Sequence, residues 1–469
     1  MSSTEKASPP RQRARLAQSL TLAATGIGFA VVQLDVTIVN TALKAIGASL
    51  GGGVAELQWV VSTYTVCFAA LILTAGALGD RVGAKKVFMA GFEIFTVASL
   101  AAALAPNAWT LIAARGVQGL GAALLVPNSL ALLQHAYPSE RERARAVGTW
   151  AAGASLALAL GPLAGGGLIA IAGWRSIFLV NLPIGVLGLW LVWRYASETS
   201  VTATRRLDLP GQLAAICAFG SLAGALIEGG ALGWGDGRVW AGFAVTVVAA
   251  ACFVLQERRE PQPMLPPALF GQPFFALATL VGLLANAAFY GLIFVFSLYF
   301  QQVQGDSALR TGLAFLPMIG AILPLNLVAP RLAERIGGPT TIAIGAAISA
   351  FGCLALLGVD RDTGYGALWP SLVALGAGLG LLVPPLTSTL LASVDKGRSG
   401  IAAGALNAAR QTGSVIGVAL FGSLVGDADR FVAGMRASLV ISAALLAFGS
   451  AAILWGRRAE SGSWCAKKH

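Results

Sequence analysis

The sequence predicts an all-α polytopic membrane protein of fourteen transmembrane helices, built as two six-helix bundles with two extra central spans. Three observations carry this expectation. The chain of 469 residues is 56% hydrophobic and 11% charged, with a mean hydropathy of +0.75. A soluble domain carries roughly 25% charged residues, so a soluble enzyme is excluded first. The apolar residues fall into runs of about 20 or more, each long enough to cross a hydrocarbon core. Finally, pieces of the first half of the chain return at a nearly constant offset in the second.

Charged and Gly/Pro-marked breaks place the spans at 16-43, 57-79, 86-105, 109-134, 144-172, 176-194, 209-232, 238-256, 274-301, 309-331, 338-358, 366-392, 400-426 and 436-456. The segment 1-15 is polar and basic. The apolar run behind it is too long for a signal-peptide core and lacks a convincing cleavage site, so it reads as a first span that is retained. Orientation follows from lysine and arginine, which accumulate on the cytoplasmic side. With the amino terminus inside, 23 of the 32 basic residues fall on that side and 7 on the other, leaving Arg115 and Arg410 within spans. Both termini, including the tail 457-469, are therefore expected in the cytoplasm.

A net charge of +11 would point to nucleic acid in a soluble protein. Here the basic residues are divided among membrane-flanking loops, which removes nucleic acid as a partner and leaves membrane lipid as the surroundings. Cys67, Cys217, Cys252 and Cys353 each stand alone in an apolar run, and Cys465 lies in the tail. Together with just two histidines, His135 and His469, they give no disulfide or metal framework. No Gly-x-x-x-x-Gly-Lys-Ser/Thr occurs, so the chain has no built-in ATP-driven motor and no cofactor is expected.

The repeat is carried by three matches. Leu78-Gly79-Asp80-Arg81-Val82-Gly83 returns as Leu332-Ala333-Glu334-Arg335-Ile336-Gly337, and Leu124-Leu125-Val126-Pro127 as Leu381-Leu382-Val383-Pro384, at offsets of 254 and 257. Gly148 and Gly161 have partners at Gly404 and Gly417, an offset of 256. The copies fall in equivalent spans of two halves, 16-194 and 261-456, separated by an inserted pair over 195-260. Paired halves are how many secondary transporters are built.

Several residues stand out against this apolar background. Asp35 lies deep in the first span, within Leu34-Asp35-Val36-Thr37-Ile38-Val39-Asn40. An ionised carboxylate there costs several kcal/mol unless paired or wet, which makes protonation a natural part of its working cycle. A structural hydrogen-bonding aspartate is the alternative. Arg115, in the fourth span, needs a partner or water for the same reason, and electrostatic control of Asp35 would use that need. Its alternative is a helix-to-helix hydrogen-bond post. The segment Gly76 to Lys86 reads as a loop in which Gly76 and Gly83 allow helix ends to approach, Asp80 accepts from a neighbour and Arg81 holds the basic face. A solvated charged turn is the plain reading of the same residues. The fifth span carries Gly148, Gly161-Pro162 and Gly165-Gly166, a face for close packing and a break in the helical ladder.

These motifs resemble those of a known family. Gly76 to Lys86 is similar to the signature loop of the major facilitator superfamily, with Ala84 where a basic residue is usual. Gly161-Pro162-x-x-Gly165-Gly166 resembles the superfamily's antiporter motif, with Ala157 in place of a glycine. Ala114-Arg115-Gly116-Val117-Gln118-Gly119 resembles its arginine motif. The Asp35 segment, Gln58-Trp59-Val60-Val61, Trp174-Arg175, Asn181-x-Pro183, Tyr299-x-Gln301 and Asn407-x-x-Arg410-Gln411 resemble the fourteen-span drug:proton antiporters. The resemblance implies a monomer in the bacterial inner membrane that exports amphipathic compounds, lipophilic cations first among them, by alternating access and proton exchange. It implies proton coupling at Asp35 and Arg115, and gating by Gly76, Asp80, Arg81, Gly83, Gly148, Gly161, Pro162, Gly165 and Gly166. Asn40, Trp59, Tyr64, Asn181, Glu228, Phe289, Tyr290, Phe294, Tyr299, Gln301, Asn407 and Arg410 are its candidate cavity residues, although packing or interface anchoring explains most such side chains equally. Glu93 reads as a snorkelling residue near the cytoplasmic end of the third span. An exporter dedicated to one metabolite, antibiotic or lipid, and a transporter-like sensor without turnover, are the competing functional readings.

Overall fold

The computed structural model describes residues 9–199, 208–261, 263–394, 399–427 and 429–466. Lys6, Arg205, Arg206, Lys396, Arg398, Lys467, Lys468 and His469 lie outside the described residues. Every regular element among those described is helical. Thirteen helices are long and apolar enough to cross a membrane. The first six are Arg15–Leu50, Val54–Val82, Ala84–Ala103, Ala108–Ala136, Arg141–Ala172 and Ser176–Tyr195. The inserted pair is Leu209–Leu232 and Gly237–Arg259. The remaining apolar spans are Pro273–Val303, Ala308–Ile336, Gly338–Gly358, Tyr365–Ala392 and Phe431–Gly456. A further helix, Ser399–Leu424, occupies the expected place of the thirteenth of fourteen spans. Its 26 residues have the length to cross, but Asn407, Arg410 and Gln411 lower its hydropathy below that of the others. It is polar because it packs at the centre, against the second and ninth spans.

The repeat seen in the sequence extends to the packing. In the first half the first span lies on the fifth and sixth, and the third lies on the fourth and sixth. In the second half the ninth lies on the thirteenth and fourteenth, and the eleventh on the twelfth and fourteenth. The close approach of the third and fourth spans depends on Gly91 and Gly121: a Cβ at Gly121 would lie 2.7 Å from Phe95 N. The eleventh and twelfth meet the same way through Gly345 and Gly378, where a Cβ at Gly345 would lie 2.5 Å from Gly378 O. These pairs are related by the offsets of 254 and 257 found between the motifs. Glycine at such crossings lets backbones touch where any side chain would hold them apart.

The halves meet along two seams, the second span against the thirteenth and the fifth against the tenth. The seventh span straps the outside of the first seam by packing on both the second and thirteenth, and the eighth packs chiefly on the seventh. At one end of the strap Gln212 Nε2 donates to Ala70 O at 2.9 Å, and Gln256 Nε2 reaches Asp208 Oδ1 at 3.0 Å.

The segment Gly76 to Lys86 is not a loop. The second span continues as helix through Val82, and the third starts at Ala84, so the connection is the single residue Gly83. Asp80 and Arg81 suit a helix end as well as a turn, and the helix stops only where Gly83 adopts φ +107°. Gly83 N donates back to Gly79 O at 2.9 Å. Gly337 repeats the device, with φ +91° and a 2.9 Å bond to Ala333 O. A Cβ at Gly83 would also lie 2.6 Å from the Glu198 carboxyl carbon. Gly83→Ala is therefore expected to destabilise the folded protein by about 1 kcal/mol or more, read as a lowered thermal midpoint of the purified protein. Gly148→Ala, at a position with open space around it, should leave that midpoint unchanged.

Candidate functional site

The first span is helical to Ile38 and then tightens into a 3-10 turn, Val39–Ala42, before resuming at Leu43. Asp35 sits one turn before this change, with no solvent exposure. Its Oδ2 accepts from Arg115 Nη1 of the fourth span, and its Oδ1 accepts from Gln118 Nε2 at 3.4 Å and Asn181 Nδ2 at 3.3 Å. Arg115 is equally enclosed. It donates to Gln118 Oε1 at 2.9 Å and, through Nε, to Val60 O of the second span at 3.1 Å. The Tyr64 ring covers the guanidinium at 4.4 Å, and Phe178 closes another side at 5.9 Å. Ser99 ties Gln118 and Asn181 together, accepting at 2.7 and 3.2 Å. Five of the six spans of the first half thus place a side chain or carbonyl in one buried polar cluster.

This is a buried ion pair whose other lone pairs are largely satisfied. Removing one partner of such a pair leaves an uncompensated charge and costs about 3–5 kcal/mol. Protonating Asp35 would have the same electrostatic consequence for Arg115. Asp35, Arg115, Tyr64 and Asn181 are brought together from the sequence candidates. Gln118 and Ser99 were not among them. Gln118 lies three residues beyond Arg115, on the same helical face, which is the one signal the sequence offers.

The fifth span closes the seam at the end remote from the basic loops. A Cβ on Gly161 or Gly165 would collide with Thr37 or Thr41 of the first span, and one on Gly166 would lie 2.6 Å from Ala308 O and 2.7 Å from Leu309 Cα of the tenth. A Cβ at Gly312, also in the tenth span, would strike the Pro162 carbonyl. Thr37 Oγ1 donates to Leu158 O at 3.0 Å. The other seam is fastened at this same end, where Gln58 Nε2 donates to Val418 O and Ala419 O at 3.1 and 2.6 Å. Lys44 Nζ crosses to Gln301 O at 2.6 Å. Toward the basic end the fifth–tenth seam opens: Gly148 and Gly153 of the fifth span and Gly320 of the tenth have no atom within 4 Å of an added Cβ, whereas on the other seam a Cβ at Gly404 would lie 2.8 Å from Leu73 Cδ2. The fifth–tenth seam is clamped at one end and open at the other.

The remaining sequence candidates divide by place. Gly76 faces Pro127 of the fourth span, and Arg81 is exposed at the basic end. Asn40 donates to Val36 O at 3.0 Å inside the sealed region. Trp59 Nε1 donates to Glu228 at 3.3 Å, which joins the second span to the inserted seventh beside a cleft of about 480 Å³ at the sealed end. Phe289 and Tyr290 form an edge-to-face pair, centroids 5.1 Å apart. Phe294 is core packing. Tyr299 is a loop anchor rather than a cavity wall, since its hydroxyl donates to Asp360 O at 2.6 Å. Gln301 serves through its backbone carbonyl. Asn407 and Arg410 are half-buried on the thirteenth span, and Glu93 is exposed.

The pattern of the Major Facilitator Superfamily matches residues 25–418. The chain belongs to that superfamily. It is 39% identical over 451 residues to the methylenomycin A resistance protein of Streptomyces coelicolor, covering 96% of this chain and 93% of that one. It is 38% identical over 408 residues to the multidrug resistance protein Stp of Mycobacterium tuberculosis, covering 87% and 76%. In three dimensions it is similar to a bacterial homologue of the human lysosomal transporter Spinster in an inward-facing, unoccupied conformation. The TM-score there is 0.67 at 17% identity, covering 94% of this chain and 97% of that one. The all-helical fold predicted from composition and repeat, and the superfamily implied by the motif resemblance, are therefore those present, and this chain has drug-resistance transporters as relatives.

Proposed function

We propose that the protein is a proton-coupled antiporter of the bacterial inner membrane that exports amphipathic small molecules, antibiotics among them. The observation that carries this reading is the enclosed Asp35–Arg115 pair in a two-bundle transporter whose fifth–tenth seam is clamped at one end and open at the other. With the basic loops in the cytoplasm, the structure is the state open to the inside. A proton arriving from outside neutralises Asp35 and releases Arg115 to its remaining partners, Gln118, Val60 O and the Tyr64 face. Loss of the pair reorients the first and fourth spans against the second, and substrate leaves. Release of the proton inward re-forms the pair and returns the inward-open state. Each pH unit supplies about 1.4 kcal/mol per proton and each 100 mV about 2.3 kcal/mol per charge, enough for substantial accumulation.

Relatives named for resistance to methylenomycin A and to multiple drugs support export over import. The lipophilic-cation cargo expected from the sequence rested on the family resemblance and on buried carboxylates, of which Asp35 is held by Arg115. The test is transport into everted membrane vesicles of a panel of antibiotics and dyes. Uptake that requires an imposed proton gradient and ceases with nigericin is expected. Uptake indifferent to the gradient would contradict the reading.

A further inference from the structure

Among the interior charges outside the proton-coupling cluster is Arg410. Arg410, on the thirteenth span, is half-buried between Gly404 at the basic end and Gly422 at the sealed end. Its Nη2 donates to Thr387 Oγ1 of the twelfth span at 2.9 Å, and its buried Nε has no partner. Among the described residues no carboxylate pairs with it. Arg115 shows what such a group ordinarily receives in this protein: a carboxylate, an amide oxygen, a backbone carbonyl and an aromatic face. A guanidinium kept inside a membrane bundle without a counter-ion is a strong attractor of anions.

The surroundings suit an acidic guest. Asn286 of the ninth span is half-buried one turn from Gly282, where a Cβ would lie 3.8 Å from Arg410 Cγ. Tyr290 lies near both Arg410 and the Tyr64 that covers Arg115. The one carboxylate of the proton-coupling cluster, Asp35, is already held by Arg115, and Glu228 lies at the cleft by the sealed end. Among the described residues a cationic cargo would find no unpaired carboxylate beside Asp35, whereas an anion would find a guanidinium that has no carboxylate partner.

We infer that Arg410 anchors the cargo and that the cargo is an amphipathic monoanion, a carboxylate on an apolar body that rests against Phe289 and Tyr290. The inference rests on the exporter reading and adds the substrate class to it. It also has an electrical consequence. A monoanion leaving against one entering proton moves two positive charges inward per cycle, whereas a quaternary ammonium moves none. Each charge moved is worth about tenfold accumulation per 60 mV.

The experiment uses the full-length protein in proteoliposomes with pyrenebutyrate and a pyrenebutyl-trimethylammonium analogue as probes. Binding is read by fluorescence, and transport under a potassium-diffusion potential. The wild type is expected to bind the acid better than the ammonium and to move it in a potential-dependent way. Arg410→Gln should weaken acid binding by roughly tenfold or more and leave the ammonium unaffected, while Arg410→Lys retains part of the acid preference. Equal acid binding by wild type and Arg410→Gln, or a wild-type preference for the ammonium, overturns the inference. Movement of neither probe, with acid binding still dependent on Arg410, supports the anchor and contradicts the exporter reading instead.

Discussion

Asp35→Asn is expected to abolish gradient-driven efflux, by roughly a hundredfold or more, and to weaken substrate binding, because a neutral residue 35 mimics the protonated state from which substrate leaves. The amide is nearly the same size as the carboxyl group and can still accept from Gln118 and Asn181, whose donors lie at 3.4 and 3.3 Å. It cannot gain or lose a proton, so the cycle loses its coupling step. It also leaves Arg115 fully enclosed without a counter-charge, at a cost of about 3–5 kcal/mol. That cost predicts a lowered thermal midpoint for the single variant. The double variant Asp35→Asn, Arg115→Gln should recover much of the midpoint and none of the transport. Stability and coupling are thereby separated: efflux restored together with stability would show that the pair is merely a structural post.

Gly166→Val is expected to have the second largest effect. The position is pressed between the fifth and tenth spans, where a Cβ would already lie 2.6 Å from a backbone oxygen. A branched side chain must push the tenth span away, and close-packed interiors resist such insertions by about 1–3 kcal/mol. The sealed end should gap, and efflux should fall by more than tenfold as protons leak inward through the gap. Maleimide labelling of a cysteine placed at Leu309 should become faster in the variant. Gly167→Val, one residue on and with open space around it, is the control expected to transport normally. Equal labelling and efflux for both variants would show that the glycine face is not a seal.

How much was legible in the sequence follows from which interactions are local. Asp35 and Arg115 are 80 residues apart, yet each stands out because an ionised group inside an apolar run requires a reason. Ser99 and Gln118 are neutral, and neutral polar residues occur throughout membrane helices. Their role depends on the rotation of the third and fourth spans, fixed by Gly91 and Gly121. The repeat was legible because the tightest contacts need glycine in both copies. The segment Gly76 to Lys86 misled because its charges resemble a loop, whereas the break is set by a single positive φ at Gly83. Tyr299 and Gln301 were drawn into the cavity by the family motif that holds them. Their partners, Asp360 and Lys44, come from distant segments that no local pattern connects. The isolation of Arg410 could not be seen in the sequence at all, since the lack of a counter-ion is a property of the assembled bundle.

The central claim, that the Asp35–Arg115 pair exchanges a proton with the substrate cycle, is tested most directly on purified protein in weakly buffered detergent solution. Addition of a transported substrate should shift the bulk pH through proton release by the wild type, with the amplitude saturating as the substrate sites fill. Asp35→Asn, at substrate concentrations high enough to overcome its weakened binding, should release no proton. Equal release from the two proteins, or saturable binding by the wild type with none, would contradict the account.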